Sequence, residues 1–434
     1  MKQLTRLFIP ICLETLFYML SGMVDTLMLS AVGDYAVGAV GTANSYIGIF
    51  IIMFSIISSG MVSVMTQNIG AGRPGVAYQA RQLGLLFNAV AGVLMAVFLF
   101  SGAGAILRMV GIADALYEPA LIYLKIVGGG CILNAVIHIF SSYMRAFGYT
   151  KQPLYATIVG NIANFVMNAV FLFVLHKGVA GVAAATVISK ILNLCIVLYF
   201  SHKLISAKNS TERIANKTVL GQIVKVGLPS ACETALYNVA MMLVIRFLNQ
   251  MDAEGLNVTA RSYTATISNF SYCVGAALAQ ANAIMTGWHI GAGELEECDR
   301  GTKRAAFVGV CVAVCMETAI VLGSGFIMPL FTDNPEMTAL VRKLLAIDIV
   351  LEIGRVTNLV FGQALKTSGD AVFPAVIAAV FMFVFAVGGT WLFGISMGLM
   401  AVGAYIGLAS DECVRAVGMV WRWKTGKWRT KKLV

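Results

Sequence analysis

Apolar residues run along this chain in long, nearly unbroken stretches. They show neither the alternation of a half-buried strand nor the narrow stripe of a soluble amphipathic helix. A helix needs about 20 mainly apolar residues to cross a bilayer. Twelve stretches meet that length: 7–31, 45–66, 83–107, 118–144, 154–176, 180–201, 220–249, 259–286, 304–331, 340–365, 372–394 and 396–421. The period-two pattern of an outer-membrane barrel is missing, so all twelve are predicted to be helices. The first is read as a retained span and not a cleaved leader, because no small-residue cleavage site follows a short apolar core. The breaks between spans are short. The longest polar segment, 201–225, lies near the middle of the chain.

Composition agrees with the pattern. Charged residues make up 12% and apolar residues 59% of 434, where a soluble domain has about 25% and 45–50%. Soluble multidomain and disordered classes are thereby excluded. The net charge of +10 takes its meaning from where it sits. With the N-terminus inside, the cytoplasmic segments hold 22 Lys and Arg, against four (Arg108, Lys177, Arg342, Lys343) in the opposite loops. This bias predicts both termini on the cytoplasmic side of the cell (inner) membrane. The tail from Arg422 to Lys432, with Trp421, Trp423 and Trp428, is then expected to anchor on anionic lipid, and no nucleic-acid partner is expected. The nine cysteines lie almost all in apolar runs without histidine at ligand spacing, and are read as buried apolar residues. No enzyme is expected: the loops leave no room for a soluble catalytic domain, and no Asp-rich or His-rich motif marks a membrane-embedded one.

The two halves repeat. Ile69-Gly70-Ala71-Gly72 recurs as Ile290-Gly291-Ala292-Gly293, an offset of 221 that also carries Arg145 onto Lys366, Gly148 onto Gly369 and Pro153 onto Pro374. Pro10, Glu14, Thr15 and Tyr18 fall on Pro229, Glu233, Thr234 and Tyr237 at an offset of 219. Six helices per half is an even number, so the repeats are parallel. The expected fold is an all-α membrane protein of twelve transmembrane helices in two six-helix lobes related by a pseudo-twofold axis. The N-lobe is 1–201, a cytoplasmic linker 202–219, the C-lobe 220–421 and the basic tail 422–434. This is a secondary-transporter architecture.

Ionisable residues inside spans cost very roughly 2.5–3.5 kcal/mol or more each, so each is a candidate for function. Asp25 stands well inside the first span with no basic residue one turn away. Asn161, Asn164 and Asn168 lie on one face of the fifth span; they serve either helix adhesion or a site shared with Asp25, and Thr186 can add a hydroxyl. Carboxylate, amide oxygens and hydroxyl suit a hard cation such as sodium, or a proton-linked network. Asp25, Asn164 and Asn168 are the expected ligands if the ion is sodium. Glu14 and Glu233 are repeat-related, and suit either the inner mouth of a cleft or a helix N-terminus. Asp348, Glu352 and Arg355 share a face of the tenth span, with Glu352 and Arg355 expected to pair as a structural or gating device. Asp411 and Arg415 are spaced for a salt bridge, Glu317 has no evident partner, and His138 is expected to be a hydrogen-bonded packing residue.

Several segments together resemble the multidrug and toxic compound extrusion (MATE) transporters. They are the Pro10 segment leading to Val24-Asp25-Thr26, Gln67-Asn68-Ile69-Gly70-Ala71-Gly72, Arg145-Ala146-Phe147-Gly148, Gly181 to Thr186, Gly227-Leu228-Pro229 and Glu352 to Asn358. The resemblance covers nearly the whole chain. It implies an antiporter that exports organic, often cationic or amphipathic, compounds in exchange for sodium or protons by alternating access, working as a monomer in the bilayer with no cofactor beyond the coupling ion. It maps the coupling carboxylate onto Asp25, with Asn164, Asn168 and Thr186 as its partners. Some members have Asp where this chain has Asn168. One branch carries C-lobe acids at the positions of Tyr237 and Arg355, so that branch's C-lobe cation site is expected to be absent and the chain is likened to the DinF-like branch. The alternative is a flippase or exporter of a lipid-linked or anionic metabolite, which would have a basic central cavity.

Overall fold

The computed structural model describes residues 2–110, 112–205, 212–251 and 255–434. It is helical throughout these segments. In chain order the helices are α1 (Lys2–Ser30), α2 (Asp34–Gly70), α3 (Pro74–Val110), α4 (Asp114–Gly129), α5 (Cys131–Ala146), α6 (Lys151–Ala169) and α7 (Gly178–Leu204). They continue as α8 (Asn216–Met251), α9 (Leu256–Ala292), α10 (Leu295–Ile327), α11 (Pro335–Ser368), α12 (Val372–Phe381) and α13 (Met400–Lys424). The fourth expected span is the pair α4 and α5, bent by 41° at Gly130. The fifth and eleventh continue past α6 and α12 as π-helical turns at Val170–Val174, Met382–Val387 and Thr390–Ser396. Counted this way, the helices are the twelve predicted spans.

Glycines at matching places punctuate both halves. Gly72 and Gly293 end their helices at φ of 74° and 79°, and Gly148 and Gly369 do so at 83° and 99°. Left-handed backbone of this kind excludes most side chains, so the 221-residue offset is a geometric repeat as well as a sequence repeat. α11 starts more conventionally, with the Asn334 side chain accepting from the Glu336 and Met337 amides and Pro335 at the first helical position.

The chain divides into two compact units, Ile9–Gly227 and Leu228–Val434 together with Met1–Phe8. Within the first unit, α2, α3 and α4 enclose a core around Phe54, Leu99 and Leu124. The expected linker 202–219 is held there where it is described: Gln79 of α3 donates to the Ile214 carbonyl at 2.7 Å, accepts from the Ile214 amide at 3.2 Å and bonds Asn216. Residues 206–211 of that linker, including Lys208, lie outside the described residues. Within the second unit, α8, α9, α11 and α13 pack around Leu344, Leu345 and Tyr405. Among the described residues, seven helices are long and apolar enough to span by composition alone, and the bent pair makes eight. α9, α11 and α13, which are not among them, carry buried polar residues of the second unit, Ser268, Asp348 and Asp411 included. The outer face of α3 exposes Leu86, Phe87, Leu94, Val97 and Phe98, a continuous apolar surface expected of a helix that meets lipid.

The basic tail departs from expectation. Trp423 and Trp428 are buried at 2% and 1% exposure, with their rings stacked 4.2 Å apart. Trp423 Nε1 donates to Asp299 at 2.7 Å. Arg422 pairs with Asp370 at 2.7 Å and Arg429 with Glu296 at 2.6 Å. These residues clamp the tail onto its own lobe, and of the three tryptophans only Trp421 remains exposed. A buried indole takes a large apolar surface out of water while its N–H keeps a hydrogen-bond partner. Trp423→Ala is accordingly expected to lower unfolding stability by about 3–5 kcal/mol, measured by thermal denaturation in detergent.

Candidate functional site

The first unit brings the predicted N-lobe residues together. Asn168 is fully buried on α6, and its amide nitrogen donates to Asp25 Oδ1 on α1 at 2.8 Å and to Asn164 Oδ1 at 3.1 Å. Two turns earlier, Asn161 donates to the Phe17 carbonyl at 2.9 Å. The asparagine stripe staples α6 to α1, through Asn161 on the Phe17 carbonyl and Asn168 on the Asp25 carboxylate. Asn168 has spent its donors on these bonds, while its buried Oδ1 has no hydrogen-bond partner.

Thr186 stands beside this centre and not on Asp25 itself. Its hydroxyl donates to the Val182 carbonyl at 2.9 Å. The buried Tyr123 of α4 lies within electrostatic range of Asp25, with Asn44 and Thr186 nearby. Lys190 is the residue that sequence reasoning missed. It sits one turn beyond Thr186 on α7, is within electrostatic range of Asp25, and lies 5.4 Å from the exposed Tyr18 ring. The absence of a basic neighbour along α1 said nothing about one supplied by α7. The solvent-accessible His138 side chain lies within electrostatic range of Arg145 and Lys190.

Glu14 and Glu233 are neither free mouth charges nor simple helix-end charges. Glu14 pairs with Arg145 at 2.6 Å, and Glu233 with Lys366 at 2.7 Å. Each acid follows a helix-internal proline, Pro10 or Pro229, and each base precedes a left-handed glycine, Gly148 or Gly369. The repeat places one such ion pair in each lobe. With side chains only 13–21% exposed, removal of one partner leaves a poorly solvated charge. Arg145→Met is expected to lower the unfolding midpoint more than Arg145→Met combined with Glu14→Gln. A thermal-melt double-mutant cycle measures that difference.

The second unit holds a denser charge cluster. Gly354 lets α11 approach α13 closely: a Cβ there would lie 2.7 Å from the Cys413 amide nitrogen. Within α11 Glu352 pairs with Arg355, and across this contact Arg355 Nε lies 3.8 Å from Glu412. Arg415 binds Asp411 and Glu412 at 2.7 Å each, and Asn358 donates to Glu412 at 3.0 Å. The two predicted pairs, Glu352–Arg355 and Asp411–Arg415, are both present. Glu412 was missed, although its position three residues before Arg415 permits the contact. Tyr237, Arg261, Asp348, Arg355, Asp411 and Glu412 border a cavity of about 270 Å³, with Tyr272 beneath the Arg355 guanidinium at 5.7 Å.

Twelve helices in repeated sixes, apolar outside and carrying charged groups in each lobe, define a multi-pass membrane transporter. Comparison with known proteins names the family. The MatE family profile matches residues 10–170 and 229–392. The chain is 32% identical to the uncharacterized transporter YisQ of Bacillus subtilis (strain 168), covering 97% of this chain and 94% of that protein. It is 20% identical to the probable multidrug resistance protein NorM of Thermotoga maritima, covering 100% and 94%. A crystal structure described as MATE in the straight conformation matches with a TM-score of 0.88 at 21% identity, over 99% of this chain and 96% of that one. The chain belongs to the MATE family.

Proposed function

We propose that this chain is a secondary active antiporter. It exports organic cations or amphipathic compounds in exchange for sodium or protons, by alternating access of its two lobes in the cell membrane with both termini cytoplasmic. The coupling group is Asp25. The observation that carries this reading is the 2.8 Å bond from the buried Asn168 amide to the Asp25 carboxylate. That bond makes the packing of α1 on α6 depend on the charge of Asp25. When Asp25 takes a proton or a sodium ion, the carboxylate becomes a weaker acceptor, and the contact holding α1 loosens.

The proposed cycle follows from that dependence. An ion from outside neutralises Asp25, α1 repacks, and substrate is released outward. The ion-loaded lobes then convert to the inward-open state and the ion leaves. Coupling requires that ion and substrate favour different states. The name of the Thermotoga maritima relative supports a drug-like cargo. The test is uptake of a fluorescent organic cation into inverted membrane vesicles under an imposed pH or sodium gradient. Accumulation above that of vesicles lacking the protein is expected. Accumulation of an anionic probe instead would overturn the substrate class.

A further inference from the structure

Glu317 has no place in the coupling scheme above, and no ion pair among the described residues. It lies on α10, 0% exposed, with both carboxylate oxygens lacking a hydrogen-bond partner. Its carboxylate, that of Asp348 (2% exposed) and that of Glu352 (0% exposed) offer oxygens that all lie within 4.8 Å of one another. Asp348 Oδ2 and Glu352 Oε2 are also buried without a hydrogen-bond partner. Glu352 is answered by Arg355, while Asp411 and Glu412 are answered by Arg415. Asp348 and Glu317 have no ion-paired base among the described residues; the Arg355 guanidinium, already paired with Glu352, is within electrostatic range of both and is one base for three carboxylates.

α9 supplies a second, independent observation. Ser271 faces Glu317 and Ser268 faces Asp348. Both are buried at 1% and 4% exposure, and neither hydroxyl reaches hydrogen-bond geometry with any neighbour. Three carboxylates therefore converge, two of them with a buried hydroxyl beside them, and lone pairs of all five groups are unused. Buried polar atoms are rarely left so, and like charges this close need a counter-charge.

We infer that Glu317, Asp348 and Glu352, with Ser268 and Ser271, form a binding site for a hard cation in the C-lobe. The size fits. A cation bound at roughly 2.3–2.6 Å, as calcium is, spans about 4.6–5.2 Å between opposite ligands, which the observed spread accommodates. A magnesium-like distance of about 2.0–2.1 Å would require the acids to close in further. All-oxygen donors exclude a preference for soft metals. The shared chemistry is that of sodium and calcium, and the site is independent of the role given to Asp25. Cation binding would draw α9, α10 and α11 together at one point, which gives the C-lobe an ion-dependent stability of its own.

The test is thermal unfolding of the purified full chain in detergent, at constant ionic strength, with choline replaced by sodium or by calcium. A ligand that binds only the folded state raises the midpoint saturably, by a few degrees at well-saturating concentration. The expected result is such a rise in the wild type and in Asp25→Asn, lost when Glu317→Gln or Asp348→Asn is added to Asp25→Asn. Each of the latter variants is isosteric and removes one unpaired buried charge, and its midpoint in choline reports its own folding. A rise with sodium alone or with calcium alone identifies the ion. Equal midpoints in all three salts would overturn the site. So would a rise that survives both triad variants in the Asp25→Asn background, or one already lost in Asp25→Asn alone, which would place the ion in the N-lobe.

Discussion

Asp25→Asn is expected to leave a folded, membrane-inserted protein that no longer moves substrate against its gradient. The exchange keeps the volume of the side chain and its hydrogen bonding to Asn168, but removes the group that takes up the ion. Coupling between sites is typically worth about 1–3 kcal/mol, so its loss should lower the substrate accumulation ratio by roughly 5–150-fold. Substrate binding, measured by fluorescence polarisation in detergent, should survive, since Asp25 acts on the conformational equilibrium. Asn168→Ala tests the same link from the other side. It removes the amide that reads the charge of Asp25 and leaves Asn164 Oδ1 without that donor. Ion dependence should weaken there while Asp25 itself remains. Undiminished gradient-driven accumulation in Asp25→Asn would remove that residue from the mechanism.

The second large effect is structural and sits in the C-lobe. Arg415, 4% exposed, is the shared counter-ion of Asp411 and Glu412. Arg415→Met fills similar space but leaves two buried carboxylates without their base. Breaking a buried pair in this way costs about 3–5 kcal/mol. Adding Asp411→Asn to that variant should recover part of the loss, because one of the stranded charges is gone. The recovery, read from thermal or denaturant unfolding, is the coupling energy of the pair. A loss of less than about 1 kcal/mol, the scale of an exposed pair, would mean that water reaches this cluster freely.

Helix count and the repeat could be read from the sequence because a bilayer constrains them so strongly, while helix ends could not: α2 begins at Asp34 and not 45, and α3 at Pro74 and not 83. A backbone in hydrocarbon must satisfy its own hydrogen bonds, so apolar length translates almost directly into helices. Contacts along one helix were equally legible: Asp411–Arg415 and Glu352–Arg355 follow from spacing alone. The repeat-related pairs Glu14–Arg145 and Glu233–Lys366 were nearly so. All four residues lie in repeat-matched segments, yet nothing in a linear pattern joins α1 to α5 or α8 to α11. The same limit hid Lys190 from Asp25, and Glu317 from Asp348. Each of these contacts depends on which helix faces which, and that is decided by packing and not by periodicity.

The tail shows a different limit. Alternating Trp and Lys or Arg is what an interfacial anchor looks like, and it is also what a clamp looks like when acids such as Asp299, Asp370 and Glu296 wait on the lobe it covers. Composition alone does not distinguish lipid phosphate from protein carboxylate as the partner of an arginine.

The measurement that bears most directly on the antiport account is transport in proteoliposomes holding only this protein. A fluorescent organic cation is loaded, and a pH gradient or a sodium gradient is imposed separately, with Asp25→Asn in parallel. The account predicts efflux driven by one of the two gradients, reversed when that gradient is reversed, and lost in Asp25→Asn. Efflux that runs at the same rate with no ion gradient, or that survives intact in Asp25→Asn, would contradict it.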